Sequence, residues 1–595
     1  MSDTGETETL DPEVGASDPV GYRVLRVWPA IVLVVLMVVA RTIHWLPAVA
    51  EDGPASIWMA SAFGPMLCGI GVVLWWLFAS RASIKEKLLG LFAIIVMGAV
   101  TIALVDRSMH GPPIIVLALP LGIAAFAAGA TLFSRVLAFR RVLMALAIAM
   151  TGFGFSTLLR NHGMWGNFAM ELDWRWVPSG EDRLADRGDV TPVLVSEFGD
   201  ALQTSLDNPE WSGFRGNNRD GRIVGSAIDH DWAANPPKEI WKIDVGPGWS
   251  SFAVAGPLIF TQEQRGDLET VVCYTAESGQ EVWTHAVESR FTDALGGDGP
   301  RATPTIADGD LFVVGASGHV MRLDAKTGEE KWQSDLRELA GRKPPMWGFC
   351  SSPLVVGNVV VVHAGGNGDK GILALNVNTG ELVWSAQSGG HSYSSPQLSS
   401  FFGQNYVAML TNVGLDLVDP NSGEVYLDYQ WNHGGGYRSL QPLVDRNRVL
   451  LPTGMGVGTQ SITLGSDDGK LSATEDWSTL RLKPDFNDMV AHQGAIYGFD
   501  GDVFTCVDLE SGKRNWKRGR YGKGQVILLP DQDLLLVLTE TGEALLLQTN
   551  PEKHTEVARM EMITGRTWTH PVLIGDRLYV RNSSQAACFQ LPTLK

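Results

Sequence analysis

LDAKTGEEKW, residues 323–332, recurs along the second half of the chain. Its copies are YTAESGQEVW ending at Trp283, LALNVNTGELVW at Trp384 and VDLESGKRNW at Trp516, with a weaker one, VDPNSGEVYL, ending at Leu427. In each strong copy a glycine (Gly279, Gly328, Gly380, Gly512) stands four residues before the tryptophan. A β-rich run enters an Asx/Ser/Thr-Gly turn, glycine supplies the positive φ, and the following strand carries an aromatic inward. Upstream of each turn lies a Ser/Thr-Pro signature, or its equivalent, followed by a Val/Ile/Leu-rich strand. Aligned on the proline, the copies fall at Phe252, Pro304, Pro353, Pro396, Pro442, Val490, Ile527 and Pro571. Eight units of four short strands, about 40–45 residues each, predict a mainly β fold, an eight-bladed propeller over 239–595. The last unit ends before an outer strand. EIWKIDV at 239–245, with Trp241, has the character it lacks and would close the ring.

The first half reads differently. The chain has 595 residues, 45% hydrophobic and only 19% charged, with a mean hydropathy of +0.04. An apolar membrane part is therefore averaged with a polar one. Residues 1–22 form an acidic tail without Lys or Arg, expected to be disordered and cytoplasmic. Five apolar runs follow within 23–160, at 27–45, 57–79, 88–105, 114–133 and 142–159, each near a membrane-spanning length. The last four hold no Asp, Glu, Lys or Arg, which favours a helical anchor over a transporter. His44 reads as interfacial, and Cys68 lacks the small residues that precede a lipidated cysteine. Arg23, Arg26, Arg81, Lys85, Lys87, Arg135, Arg140 and Arg141 lie on one side of the spans, against Arg41, Arg107 and Arg160 on the other. That bias places the N-terminus in the cytoplasm and, after five spans, the propeller on the extracytoplasmic side. The polar stretch 161–238 is expected to be a turn-rich strap, with Trp174 and Trp176 either interfacial or docked on the propeller.

The net charge of −18 argues against a nucleic-acid partner. Of the five cysteines, Cys273, Cys506 and Cys588 share one repeat column, the place of small core residues rather than disulfide partners. No spacing fits a metal site. Inner-strand beginnings converge on the central channel of a propeller. The residues there are Trp249, Arg301, Trp347, Tyr393, Arg438, Asn487, Asp488, Lys523 and Trp568, candidates for a flat or anionic ligand through stacking and charge-assisted hydrogen bonds. His391, His433 and His492 lie in neighbouring loops without repeated partners.

These turns resemble the pyrroloquinoline-quinone-type (PQQ-like) propeller repeat, shared by quinoprotein dehydrogenases and the outer-membrane-assembly propeller lipoprotein. WSGFRGNNRDG at 211–221 and DWRWVPSGEDRL at 173–184 resemble lead-in segments of PQQ-like repeat proteins. The resemblance implies either a binding or assembly scaffold for protein or polysaccharide, or a dehydrogenase of alcohols or sugars that passes electrons to membrane quinone. The dehydrogenases hold PQQ and Ca²⁺ with Glu, Asn and Asp, often over two adjacent cysteines. This chain has no adjacent cysteine pair, and only Asn487 and Asp488 stand together at an inner-strand start. The expectation is a non-catalytic scaffold without a cofactor, and no residue is assigned a catalytic role. The quinone with Ca²⁺ belongs to the alternative, which the five-span layout of membrane glucose-type quinoproteins keeps open.

Overall fold

The computed structural model describes residues 24–43, 46, 55–166, 169–185, 198–199, 201–293, 295–432 and 437–594. The acidic tail, His44 and His433 lie outside them. The chain divides into two compact units, Met1–Asn161 with Leu172–Arg175, and His162–Glu171 with Trp176–Lys595.

In the first unit, four of the expected spans are helices long and apolar enough to cross a membrane, within Ala60–Ala79, Ile84–Leu104, Ile114–Leu132 and Phe139–Ser156. The first run departs from expectation. Its helix, Trp28–Thr42, has 15 residues and rises about 22 Å at 1.5 Å per residue, short of a hydrocarbon core of about 30 Å. Pro29 begins it, and the polar pair Arg41-Thr42 ends it. Helices Leu119–Leu132 and Ala138–Ser156 approach closely because Gly122 lies against the Phe153 ring and Gly129 against the Ala145 backbone. Arg141 is buried in an ion pair with Glu86 (2.6 Å), so one of the basic residues weighed for orientation is neutralised within the bundle. Trp174 packs edge-on against Phe155, with ring centroids 5.9 Å apart.

The second unit is an eight-bladed propeller of four-stranded antiparallel sheets. Blades one to seven use consecutive strands, beginning with the inner strands Ala253–Ala255, Thr305–Ala307, Leu354–Val356, Gln397–Phe401, Leu443–Asp445, Val490–His492 and Gln525–Leu529. Blade eight takes Val572–Ile574, Arg577–Arg581 and Gln585–Gln590 from the end of the chain and its outer strand, Lys238–Asp244, from the beginning. The ring is therefore closed by the strand expected to close it.

The repeated tryptophan binds one blade to the next. Trp241, Trp283, Trp332 and Trp384 each donate Nε1–H to a turn carbonyl of the following blade, at Ala276, Ala325, Val377 and Pro420, over 2.8–3.1 Å. The same ring packs under that turn's glycine: a Cβ on Gly328 would lie 2.5 Å from Trp283, and one on Gly380 2.5 Å from Trp332. Glycine is thus required for its positive φ (74° at Gly328) and for its missing side chain. Trp477 plays the same part for Gly512 and the Leu509 carbonyl, although its own hairpin, SDDGK, lacks the motif. The shared cysteine column lies across the strand from the tryptophan column: Cys273 faces Trp283, Cys506 faces Trp516 and Cys588 faces Trp241. All five cysteines are free.

Candidate functional site

Residues one or two places before the aligned positions form a hydrogen-bonded belt along the channel. Ser251 N–H donates to Thr303 Oγ1 (3.1 Å), Thr303 N–H to Ser352 Oγ (2.9 Å) and Ser352 N–H to Ser395 Oγ (2.9 Å). Gln441 Nε2 donates to the Ser395 carbonyl (3.3 Å). In the other direction, Ser251 Oγ donates to the His570 carbonyl (2.6 Å), and Gln525 Nε2 donates to the Trp568 carbonyl (2.9 Å) while Gln525 Oε1 accepts from Asp488 N–H (3.0 Å). The Ser/Thr side chains of the signature therefore tie the inner strands of blades one to four to one another and blade one to blade eight.

One end of the channel is filled by a segment that the sequence showed only as a lead-in. Residues 211–223 pair edge-on with inner strands: Val254 N–H donates to the Trp211 carbonyl (2.8 Å), Ile306 N–H to Ser212 (2.8 Å), and Ile223 N–H to Leu528 (2.9 Å). Arg219, fully buried, donates to the Ser352, Pro353 and Pro396 carbonyls and to Thr305 Oγ1. Burial pushes its pKa down to about 9. Arg215 pairs with Asp488 (3.3 Å), which also faces His570 (3.4 Å). Burial lowers the His570 pKa to about 4, so that ring is neutral at pH 7.

Above this floor lies a cavity of about 320 Å³. Six of the nine expected residues line it: Trp249, Arg301, Trp347, Tyr393, Lys523 and Trp568. The other three stand behind the wall. Arg438 is wholly buried, donating to Thr453 Oγ1 (2.9 Å) and to the Thr411 and Trp431 carbonyls. Asn487 accepts from Asp485 N–H (3.0 Å), and Asp488 is held by Arg215. A position at the start of an inner strand does not decide between facing the channel and facing the neighbouring blade, and these three face inward to protein. His391 abuts Tyr393 and Tyr437, and His492 bonds Asp533; His433 is outside the described residues.

The walls are aromatic. Trp249 and Trp568 stack at 4.7 Å with Phe486 against Trp568 (4.9 Å), and Trp347 contacts Tyr393 (4.9 Å) and Tyr437 (4.6 Å). Arg566, absent from the sequence reading, lies over both Trp249 (4.9 Å) and Trp568 (4.4 Å). It donates to the carbonyls of Met164 (2.5 Å), His162 (2.5 Å) and Leu295 (3.0 Å), and pairs with Glu171 (3.3 Å). The segment 162–166 is thereby pinned at the cavity, where Met164, Trp165 and Gly166 join the lining. Gly166 N–H and Trp568 Nε1–H both donate to Glu540 Oε1 (2.7 and 2.8 Å). The remaining cations are paired too: Arg301 with Asp293, and Lys523 with Asp485 (2.5 Å) and Asp502 (2.9 Å). These carboxylates hold the Lys523 ammonium well above its usual range despite burial. Arg215, Arg301, Lys523 and Arg566 thus each have a carboxylate partner, whereas Arg219 is held by carbonyls and a hydroxyl. The strap is not all turns, since it holds helices Gly180–Ala185 and Ala201–Asp207.

The closed ring of four-stranded blades with this turn motif defines a propeller of the PQQ-like repeat type. The profile of the family described as outer membrane protein assembly factor BamB matches residues 227–346 and 342–518. Two relatives are BamB of Burkholderia pseudomallei, 21% identical over 61% of this chain and 90% of that protein, and the quinoprotein alcohol dehydrogenase PedH of Pseudomonas putida. The latter match is 33% identical but spans 16% of this chain and 15% of the enzyme. Among solved structures, BamB of Moraxella catarrhalis aligns with a TM-score of 0.43 at 15% identity, over 60% of this chain and 98% of its own. Quinohemoprotein alcohol dehydrogenase of Comamonas testosteroni aligns with a TM-score of 0.48 at 12% identity, over 67% and 84%.

Proposed function

We propose that this chain is a membrane-tethered receptor whose propeller, on the extracytoplasmic side of an inner membrane, binds a ligand or partner without transforming it. One observation carries the reading: every charged side chain found at the cup is held in an ion pair, a hydrogen bond to a fixed donor or a cation–π sandwich. None is left as a general base in hydrogen-bond reach of a bound molecule. The cup is a poor fit for a polyanionic quinone with calcium. Its lining cations, Arg301 and Lys523, are already committed to carboxylates, and among the described residues no three Asp, Glu, His or Cys groups are placed to share a metal ion. The similarity to BamB supports an assembly or docking role for the exposed loops. The stacked Trp249–Trp568 wall and the similarity to PedH favour a second reading, a quinone-dependent dehydrogenase.

Two experiments test the proposal. Purified chain in a glycoside-free detergent, given PQQ, Ca²⁺, alcohols or sugars and a dye acceptor, is expected to show no turnover; dye reduction dependent on the quinone would overturn the receptor reading. A periplasm-dependent phosphatase fused after residue 595 is expected to be active, and an inactive fusion beside an active cytoplasmic reporter would reverse the orientation.

A further inference from the structure

The cup has two demands that no protein group meets. Thr303, Ser352 and Ser395, all nearly fully buried, line it from blades two, three and four. Each hydroxyl oxygen accepts a neighbour's N–H, and none donates its own proton to a protein acceptor among the described residues. A buried O–H without an acceptor is costly, so these three protons are available to acceptor oxygens in the cavity, and a ligand that displaces water there must supply them. The second demand comes from the walls. In a ring of eight, blades one and eight stand opposite blades five and four. Trp249 and Trp568 therefore stand across the cup from Tyr437 and Tyr393, which gives the cavity an aromatic wall on each of two opposite sides.

Charge narrows the choice. Both cations in the lining, Arg301 and Lys523, are already paired with carboxylates, so neither is free to take an anion. A quaternary ammonium suits aromatic walls but accepts no hydrogen bond from the three hydroxyls. A cavity of about 320 Å³ has room for about ten waters at roughly 30 Å³ each, the space of a short saccharide. We infer that the central cup binds an uncharged pyranose, stacked between the two aromatic walls with its hydroxyl edge on the Thr303–Ser352–Ser395 belt. The inference rests on the receptor reading and names its ligand class.

The test uses the full chain in lipid nanodiscs, away from glycoside detergents, by titration calorimetry. The probes are methyl glycosides of glucose, galactose, mannose and N-acetylglucosamine, with maltotriose, glucuronate, choline and PQQ. At least one neutral saccharide is expected to bind, with glucuronate at least ten-fold weaker than glucoside. Trp347→Ala is expected to weaken binding about ten-fold and Ser352→Ala about three-fold. Ser352→Ala, a small change, provides a folded variant if Trp347→Ala is unstable. A response to maltotriose alone assigns the site to a polymer, and a response to the methyl glycosides assigns it to free sugar; either supports the inference. Binding of choline or PQQ without any neutral saccharide overturns it. Silence from every probe overturns it too, while leaving the receptor reading intact. Turnover of a bound sugar would instead remove the receptor reading and keep the saccharide site.

Discussion

The rim and the cup of this propeller are built on opposite rules. At the rim, blade after blade repeats one device, a tryptophan under the next blade's turn glycine with its indole N–H on that turn's carbonyl. At the cup the inner-strand starts differ: Trp249, Trp347 and Trp568, Tyr393 and Tyr437, Arg301 and Lys523 line it, the two cations in ion pairs of their own. Repetition makes the ring, and departure from repetition makes the site. A change at the rim is therefore expected to act on stability alone, and a change at the cup on binding as well.

The largest effect is expected at the rim. Trp332→Ala removes a buried ring and its bond to Val377, and is expected to cost about 3–5 kcal/mol, read from the urea midpoint with ligand affinity per folded molecule unchanged. A loss of affinity beyond the unfolded fraction would blur the distinction between rim and cup. Next comes Arg566→Met, which frees the His162, Met164 and Leu295 carbonyls and Glu171. It is expected to cost about 3 kcal/mol and, unlike the rim change, to speed hydrogen exchange selectively in 162–166; uniform exchange would show that the segment is held by something else.

A third prediction concerns pH. Glu269 is buried on blade one, and desolvation raises its pKa to about 7, above its unfolded value. Its contribution is therefore fully present below the unfolded pKa and is lost as pH rises through 7. Relative to the parent, Glu269→Gln should gain about 1.4 kcal/mol for each pH unit between about 4.5 and 7. Parallel stability curves would show that the carboxyl is not held protonated. The smallest effect is expected for Gly512→Ala, about 1–2 kcal/mol from a strained φ of 65° and a Cβ 2.6 Å from Trp477; no change in the urea midpoint would mean that the Trp477 ring yields.

The rim was legible in the sequence because it repeats. The turn glycines, the tryptophans, the proline column and even the closing strand around Trp241 announce themselves by spacing. The cup was half legible. Trp249, Arg301 and Trp568 fall at predictable places, but burial of Arg438, Asn487 and Asp488 depends on neighbours in other blades that no local pattern reveals. Arg215, Arg219 and Arg566 were missed for the same reason: their partners lie at carbonyls far along the chain. The one signal that marked the floor was the cluster of arginines, glycines and asparagines at 211–221, a composition suited to crossing a channel and donating to exposed carbonyls. In the first run, 27 to 45, the described helix covers Trp28–Thr42.

The pairing of Lys238–Asp244 with Gln585–Gln590 makes a strand synthesised early wait for one synthesised nearly last. Until Gln585–Gln590 has formed, Lys238–Asp244 has no partner strand and the ring stays open. Closing it joins segments about 340 residues apart, a long-range contact that carries loop-closure entropy. The interval before closure is when a chaperone, or a stray β-strand from another molecule, competes hardest for the gap.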